Sequence, residues 1–484
     1  MARVATVDER FQSFNVEMVE VTGGRFWAPY KKAGAPAEAP PDSALATPGI
    51  DPSAFRQRAP IDLSNARLRK LAAALGPAYV RVSGTWANST YFHDSDSAAP
   101  AKPPAGFGGV LTRAEWKSVV DFSRAVNAKI VTSFAISDGV RDAQGVWTPV
   151  EAKKIISYTK AVGGSIAAAE MFNEPSFASM GGAPKGYDAL GYGRDFRVFR
   201  AFVKEAAPGM TILGPGSVGE GTQLAGSMAM IRSEDMLKAS GPGVDAFSYH
   251  YYGGVSKRCN GTATTEAALS EAWLAGTEHN EEYYQALRDR FEPGKPIWLT
   301  ETGETACGGN PWASTFLDSF RYLDQLGRLA KKGVRVVAHN TLAASDYGLI
   351  DEDTLIPRPN YWSALLWRNL MGTTVLDAGT GRDGIHLYAH CLRGKPGGVA
   401  VLALNTDRTG SHELEVADQY ERYTLASKEL TSGSVELNGR ELKLGAGDQM
   451  PGIEGKRGAA GRVSLAPATV TFLAFPNAKN AACQ

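Results

Sequence analysis

The chain has 484 residues, which allows one large domain and a smaller one. Hydrophobic residues make up 43% and charged residues 21%, the balance of a globular protein, and no apolar stretch is long enough to span a bilayer. Lys+Arg and Asp+Glu both number 51, so there is no global field to draw a polyanion such as nucleic acid.

In chain order, short apolar runs at 14–20, 79–84, 130–136, 166–172, 211–214, 244–252, 297–301 and 334–342 read as buried parallel strands. Helical patterns at 64–75, 113–126, 149–162, 192–206, 281–291 and 312–332 lie between them, with Ser64 and Thr112 as expected N-caps. Such alternation predicts a (β/α)8 barrel over residues 12–372. After Gly372 the texture becomes β-rich, with runs at 386–391, 398–405, 434–437, 441–444 and 469–475, and Asn438-Gly439 marks a hairpin turn. Residues 373–484 are expected to form a β-sandwich, with an edge strand from 4–7 making residues 1–11 part of it. The Ala/Pro-rich stretch 31–60 follows the first strand and is a candidate wall of the active-site cleft. A second excursion, 95–109, follows the second strand.

Two runs end in glutamate: Met171-Phe172-Asn173-Glu174-Pro175 and Ile297-Trp298-Leu299-Thr300-Glu301-Thr302. Barrel strand ends point into the active site, so Glu174 and Glu301 are candidates for the paired carboxyls that cleave a glycosidic bond. Glu304 competes with Glu301 on local sequence. Gly214-Pro215-Gly216-Ser217-Val218-Gly219 fits a dinucleotide fingerprint, but it follows a fifth strand with no clear helix at its third glycine. No G-x-S-x-G occurs. His250 and His339 sit near strand ends without ligand spacing, and no metal or cofactor is expected. Asn88-Ser89-Thr90 and Asn260-Gly261-Thr262 are glycosylation sequons. The cysteines, Cys259, Cys307, Cys391 and Cys483, allow three pairings. Without C-x-x-C spacing they point to disulfides and an oxidising compartment, hence a secreted or periplasmic protein, although Met1-Ala2-Arg3 is not followed by a signal-peptide core.

These motifs resemble the heparanase family, glycoside hydrolase family 79. Asn173-Glu174-Pro175 resembles the acid/base strand, and Trp298-Leu299-Thr300-Glu301-Thr302 resembles the nucleophile strand. Gly76–Arg81 with Gly84-Thr85, His250-Tyr251-Tyr252 and Asp346–Asp351 resemble further barrel strands and loops. Tyr388–Cys391, Val435–Gly439 and Asn477–Cys483 resemble the C-terminal domain. The resemblance implies a retaining endo-β-D-glucuronidase acting on heparan sulfate-type glycosaminoglycans as a monomer. An exo-acting β-glucuronidase and a non-catalytic glycan-binding relative are the competing readings. It also implies Glu174 as acid/base, raised in pKa by burial and by Glu301, and Glu301 as nucleophile. Tyr251 would donate to the nucleophile, and Asn173 would bond the sugar 2-hydroxyl. Gly308, Gly309 and Tyr347 would bind the glucuronide carboxylate, with Glu20 and Thr85 on other sugar hydroxyls and His250 in the site. A Cys391–Cys483 bridge is implied too. Cys259–Cys307 is then expected because the sixth and seventh strands are neighbours. Two departures stand out. The stretch 95–109 is far shorter than the segment excised from animal heparanases, and their basic clusters are not reproduced, Lys257 and Arg258 falling out of register.

Overall fold

The structure is a computed structural model that describes residues 1–30, 52–222, 230–379, 381 and 383–484. β1 (Arg3–Thr6) precedes the barrel, which opens with β2 (Gln12–Glu17) and the short helix α1 (Met18–Thr22). An antiparallel pair, β3 (Gly24–Trp27) and β4 (Phe55–Arg58), stands on the following loop. Residues 31–51 of the expected cleft wall lie outside the described residues.

α2 (Ala66–Ala74) leads to β5 (Ala78–Ser83), and the excursion after it is flanked by a parallel pair, β6 (Thr90–His93) and β7 (Gly109–Thr112). The alternation then runs α3 (Arg113–Ala125), β8 (Ala128–Ser133), α4 (Val150–Ala161), β9 (Ile166–Glu170), α5 (Ala189–Ala206), β10 (Thr211–Ser217), α6 (Ser233–Ser240) and β11 (Ala246–Tyr252). It finishes with α7 (Glu271–Leu274), α8 (Gly276–Phe291), β12 (Ile297–Gly303), α9 (Phe316–Lys332), β13 (Val336–His339) and α10 (Pro359–Leu370). Strands β2, β5, β8, β9, β10, β11, β12 and β13 close a parallel barrel, as the alternation predicts. Gly214-Pro215-Gly216-Ser217 is the buried interior of β10, which accounts for the fingerprint as a barrel strand.

Local chemistry explains the helix starts. Thr112 begins α3 through a capping box: the Glu115 nitrogen donates to Thr112 Oγ1 at 3.2 Å, and the Thr112 nitrogen donates to Glu115 Oε2 at 2.7 Å. At α2 the cap is Asn65 instead of Ser64. Asn65 Oδ1 accepts from the Arg67 and Leu68 nitrogens, while the Ser64 hydroxyl is spent on Asp62.

The tail strands are β14 (Met371–Leu376), β15 (Ile385–Leu392), β16 (Val399–Asn405), β17 (His412–Val416), β18 (Tyr420–Ala426), β19 (Glu436–Leu437), β20 (Arg440–Glu441), β21 (Lys456–Gly458), β22 (Gly461–Leu465) and β23 (Thr469–Phe475). Most form one antiparallel sheet in the order β1-β14-β15-β16-β23-β18-β19-β20, so β1 is its edge. The pair β17–β22 covers part of the outer face through Val463 and Leu465, packed with Val401, Leu473 and Phe475. Asn438 and Gly439 both have positive φ, 54° and 84°, as a tight hairpin turn requires. The expected domain boundary at 372/373 falls inside β14. Barrel and sheet meet at α9, where Asp324 accepts from Tyr388 at 2.5 Å, lies 2.5 Å from His386 Nδ1 and pairs with Arg328 at 2.6 Å. The disulfides are Cys259–Cys307 and Cys391–Cys483, with no free cysteine among the described residues.

Candidate active site

Alternate residues of a strand share a face, and on β5 that places Tyr79 and Arg81 inside the barrel. Tyr79 joins a lower layer with Val131, Ala168, Leu213, Ala246, Trp298 and Val336. Arg81, one layer higher, is 1% exposed and holds the floor of the site together. Its guanidinium donates to Glu170 Oε2 at 2.8 Å, Glu301 Oε2 at 2.7 Å and Asn173 Oδ1 at 2.7 Å. Glu170 also accepts from the Thr300 hydroxyl at 2.7 Å, and despite burial these partners hold its carboxyl far below the usual range.

Glu301 owes its direction to a bulge. Between β11 and β12 the register moves from Tyr249 opposite Leu299 to His250 opposite Glu301. Thr300 and Glu301 therefore both reach the barrel axis, which strict alternation would forbid. Glu301 Oε1 accepts from the Tyr252 hydroxyl at 2.7 Å. Burial, then the Glu301 charge, pushes the Tyr252 phenol well above its ordinary pKa, so it stays a donor.

Glu174 follows β9 in a left-handed conformation, φ 50° and ψ 61°. The preceding peptide is clamped by Asn88: its Nδ2 donates to the Asn173 carbonyl at 2.9 Å, and its Oδ1 accepts from the Asn173 nitrogen at 2.8 Å. Glu174 Oε1 is 3.1 Å from His250 Nδ1. One carboxylate oxygen each from Glu174 and Glu301 and a ring nitrogen of His250 all lie within 4.8 Å of one another. Burial raises the Glu174 pKa, His250 opposes this, and the Glu301 charge adds to the rise. Burial pulls His250 down, but the Glu301 charge and the bonds to Glu170 and Glu174 lift it to about 9.

The structure moves two expected residues. His250 and Tyr252 share the inner face of β11, so Tyr251 points outward, where a Cβ on Gly276 at the start of α8 would meet its hydroxyl at 2.5 Å. Tyr252, not Tyr251, is the phenol on Glu301. The first barrel strand ends at Glu17, not Glu20. Glu20 lies in α1, fully buried, accepting from the Glu17 nitrogen at 2.7 Å with Arg58 at 3.8 Å. Glu17 takes its place near the pair: burial, then the Glu301 charge, raises its pKa well above the ordinary value. It lies against Gly84, where a Cβ would stand 1.5 Å from Glu17 Oε2, so only glycine fits before Thr85. Thr85 begins the turn after β5, with its side chain exposed.

Glu304, His339 and Asn88 are each tied up by contacts of their own. Glu304 is fully buried and accepts from the Asn310 nitrogen at 2.8 Å, Asn310 Nδ2 at 3.0 Å and Thr305 at 2.7 Å, which ties its own loop. His339 donates Nε2–H to the Tyr347 carbonyl at 2.7 Å, and burial pulls its pKa down to about 3. Asn88, fully buried and doubly bonded, is no acceptor for a glycan in the folded protein.

Gly308, Gly309 and Tyr347 come together. A Cβ on Gly309 would stand 3.2 Å from the Tyr347 nitrogen. The Tyr347 ring stacks on Tyr252 at 6.4 Å, and Asn340 Nδ2 donates to both hydroxyls, at 3.0 Å for Tyr252 and 3.3 Å for Tyr347. Asn173 Oδ1 is committed to Arg81. Among the described residues, Glu174, His250 and Glu301 have a spacing that could hold a metal ion, but a cation there would face the Arg81 guanidinium bonded to Glu301 Oε2.

The description "Glycosyl hydrolase family 79, N-terminal domain" matches residues 57–327, more than half of the chain. The chain is 29% identical to a heparanase of Mus musculus, over 87% of this chain and 88% of that one. It is 26% identical to a hyaluronoglucuronidase of Hirudo nipponia, over 88% and 92%. In fold it is similar to a 4-O-α-L-rhamnosyl-β-D-glucuronidase of Fusarium oxysporum, with a TM-score of 0.65, 14% identity and 97% of each chain covered. Barrel, paired carboxyls and these likenesses define a glycoside hydrolase. The chain belongs to glycosyl hydrolase family 79, the heparanase family.

Proposed function

We propose that this enzyme is a retaining endo-β-D-glucuronidase that cleaves glucuronic acid linkages in heparan sulfate-type glycosaminoglycans. The observation that carries the reading is the approach of Glu174 and Glu301, whose nearest oxygens lie within 4.8 Å. Retaining enzymes keep their carboxyls about 5–5.5 Å apart, closer than inverting ones. Glu174 gives its proton to the glycosidic oxygen while a Glu301 oxygen attacks the anomeric carbon, so the leaving sugar departs as an alcohol and a glycosyl ester forms. The Glu301 charge is then gone, and Glu174, now a carboxylate, takes a proton from water as its oxygen displaces Glu301. Tyr252 and Arg81 orient the nucleophile, Asn173 Nδ2 faces the 2-hydroxyl, and Glu17 takes the hydroxyl contact expected of Glu20. Gly308 and Gly309 N–H groups with the Tyr347 phenol receive the C5 carboxylate, donors that carry no full positive charge.

The names of the mouse and leech relatives support a glycosaminoglycan substrate, and the two disulfides support a secreted or periplasmic location. The test is product sizing on heparan sulfate and hyaluronan, with NMR of the first-formed anomer. Oligosaccharides of β configuration at early times are expected. Monosaccharide alone would mean exo action, and an α first product would overturn retention.

A further inference from the structure

Cys307, Gly308 and Gly309 follow one another with φ of +63°, +82° and +82°. Glycine adopts that region freely, whereas a residue with a Cβ is strained there. A Cβ on Gly308 would stand 2.6 Å from both Ser345 Oγ and Trp27 Cβ, so the turn is wedged against the loop that carries Tyr347. Its other flank is the loop after β11. Val255 and Ala306 form a parallel bridge. The Ala306 nitrogen donates to the Gly254 carbonyl at 2.9 Å, the Ser256 nitrogen to the Ala306 carbonyl at 3.0 Å, and the Ser256 hydroxyl to the Cys307 carbonyl at 3.1 Å. The one covalent link across this seam is Cys259–Cys307. Next to it Arg258 pairs with Asp346 at 3.0 Å, one residue before Tyr347, and lies 4.0 Å over the Tyr30 ring.

We propose that the Cys259–Cys307 bridge is a specificity-positioning element: it holds the left-handed turn so that Gly308 and Gly309 meet the sugar carboxylate together with Tyr347. The proposal rests on the glucuronide reading above. The reacting carboxyls are held by other groups, Glu301 by Arg81 and Tyr252, and Glu174 by His250 and the Asn88 clamp. Loss of the bridge therefore loosens recognition of the carboxylate and leaves the reacting pair in place. The second bridge, Cys391–Cys483, staples the end of the sheet domain and is the natural control.

The experiment compares wild type, Cys259→Ser/Cys307→Ser and Cys391→Ser/Cys483→Ser on an aryl β-glucuronide and the matching aryl β-glucoside. In the first variant KM for the glucuronide is expected to rise about tenfold or more, with kcat within about threefold and the glucoside kcat/KM unchanged. The control variant keeps the wild-type ratio between the two sugars. If the serine pair does not fold, Cys259→Ser/Cys307→Gly, which suits the positive φ, is read in the same way. A glucuronide KM within about twofold of wild type, or an equal loss on both sugars, overturns the proposal. A wild type indifferent to the two sugars sinks the glucuronide reading itself, a result distinguishable from a selective wild type with an unaffected variant.

Discussion

Two adjacent tyrosines on β11 face opposite sides of the strand, Tyr252 toward Glu301 and Tyr251 toward the start of α8. Tyr252→Phe deletes the hydroxyl that donates to Glu301 Oε1 at 2.7 Å and leaves one oxygen of the proposed nucleophile without that donor. It also removes the acceptor of Asn340 Nδ2 at 3.0 Å, although that amide keeps Tyr347 at 3.3 Å. A hydrogen bond to a charged group contributes roughly 1.5–3 kcal/mol. At 1.4 kcal/mol per tenfold, that predicts a drop in kcat/KM of roughly 10- to 150-fold. Tyr251→Phe removes a hydroxyl on the other side of the strand, beside the start of α8, and is expected to stay within about threefold of wild type. The assay is steady-state hydrolysis of an aryl β-glucuronide, with thermal melts to show that both variants fold. A larger loss in Tyr251→Phe than in Tyr252→Phe would refute the inward placement of Tyr252.

Three further outcomes are expected. Glu174→Gln and Glu301→Gln each remove nearly all activity on natural substrate, and a very good leaving group partly restores glycosylation only in the first; near-normal turnover by Glu301→Gln would sink the nucleophile assignment. Tyr347→Phe loses roughly 1.5–3 kcal/mol on a glucuronide and little on a glucoside, and equal losses would argue against its carboxylate role. Glu281 is fully buried on α8, neither carboxyl oxygen has a hydrogen-bond partner among the described residues, and burial raises its pKa to about 7. A raised carboxyl contributes stability below its unfolded value near 4.5 and loses it as pH climbs through about 7, a change of about 3 kcal/mol. Glu281→Gln is therefore expected to melt higher than wild type at pH 8 and to converge with it near pH 4; identical melting at pH 8 would show that the carboxyl is not desolvated as described.

The barrel was legible because its strands are buried on both faces and read as apolar runs, with amphipathic helices between them. The two glutamates stood out because each closes such a run. Arg81 and Glu170 carry a signal of their own: a charge inside an apolar run, Tyr79-Val80-Arg81-Val82 or Ala168-Ala169-Glu170-Met171, demands a partner. Tyr252 was also readable, since choosing His250 for the inner face selects residue 252 over 251 by period two. The end of β2 was not readable. Val16-Glu17-Met18-Val19-Glu20-Val21 is buried throughout, so no change of pattern marks where extended backbone becomes helix. The bulge at Thr300 and Glu301 and the Asn88 clamp depend on neighbouring strands and have no local signature.

The same partners explain how two similar carboxyls can take the opposite roles proposed for them. Glu301 sits inside a strand and meets a donor at each oxygen, Arg81 on one and Tyr252 on the other. Glu174 lies beyond the end of its strand, on a left-handed residue with a fifth of its side chain exposed, and its described partner is the one histidine. Donors at both oxygens fix the direction of the Glu301 carboxyl, while burial with fewer donors raises Glu174 and favours a proton that can leave toward a substrate. Arg81 couples the two, because the guanidinium that bonds Glu301 also holds Asn173, the residue before Glu174, and is itself anchored by Glu170. A buried cation with two carboxylates and an amide around it is costly to break, and here it fixes the spacing between Glu301 and Asn173. Replacing Arg81 is thus expected to disturb both ends of the reaction at once, which separates it from Tyr252, whose loss touches Glu301 alone of the pair.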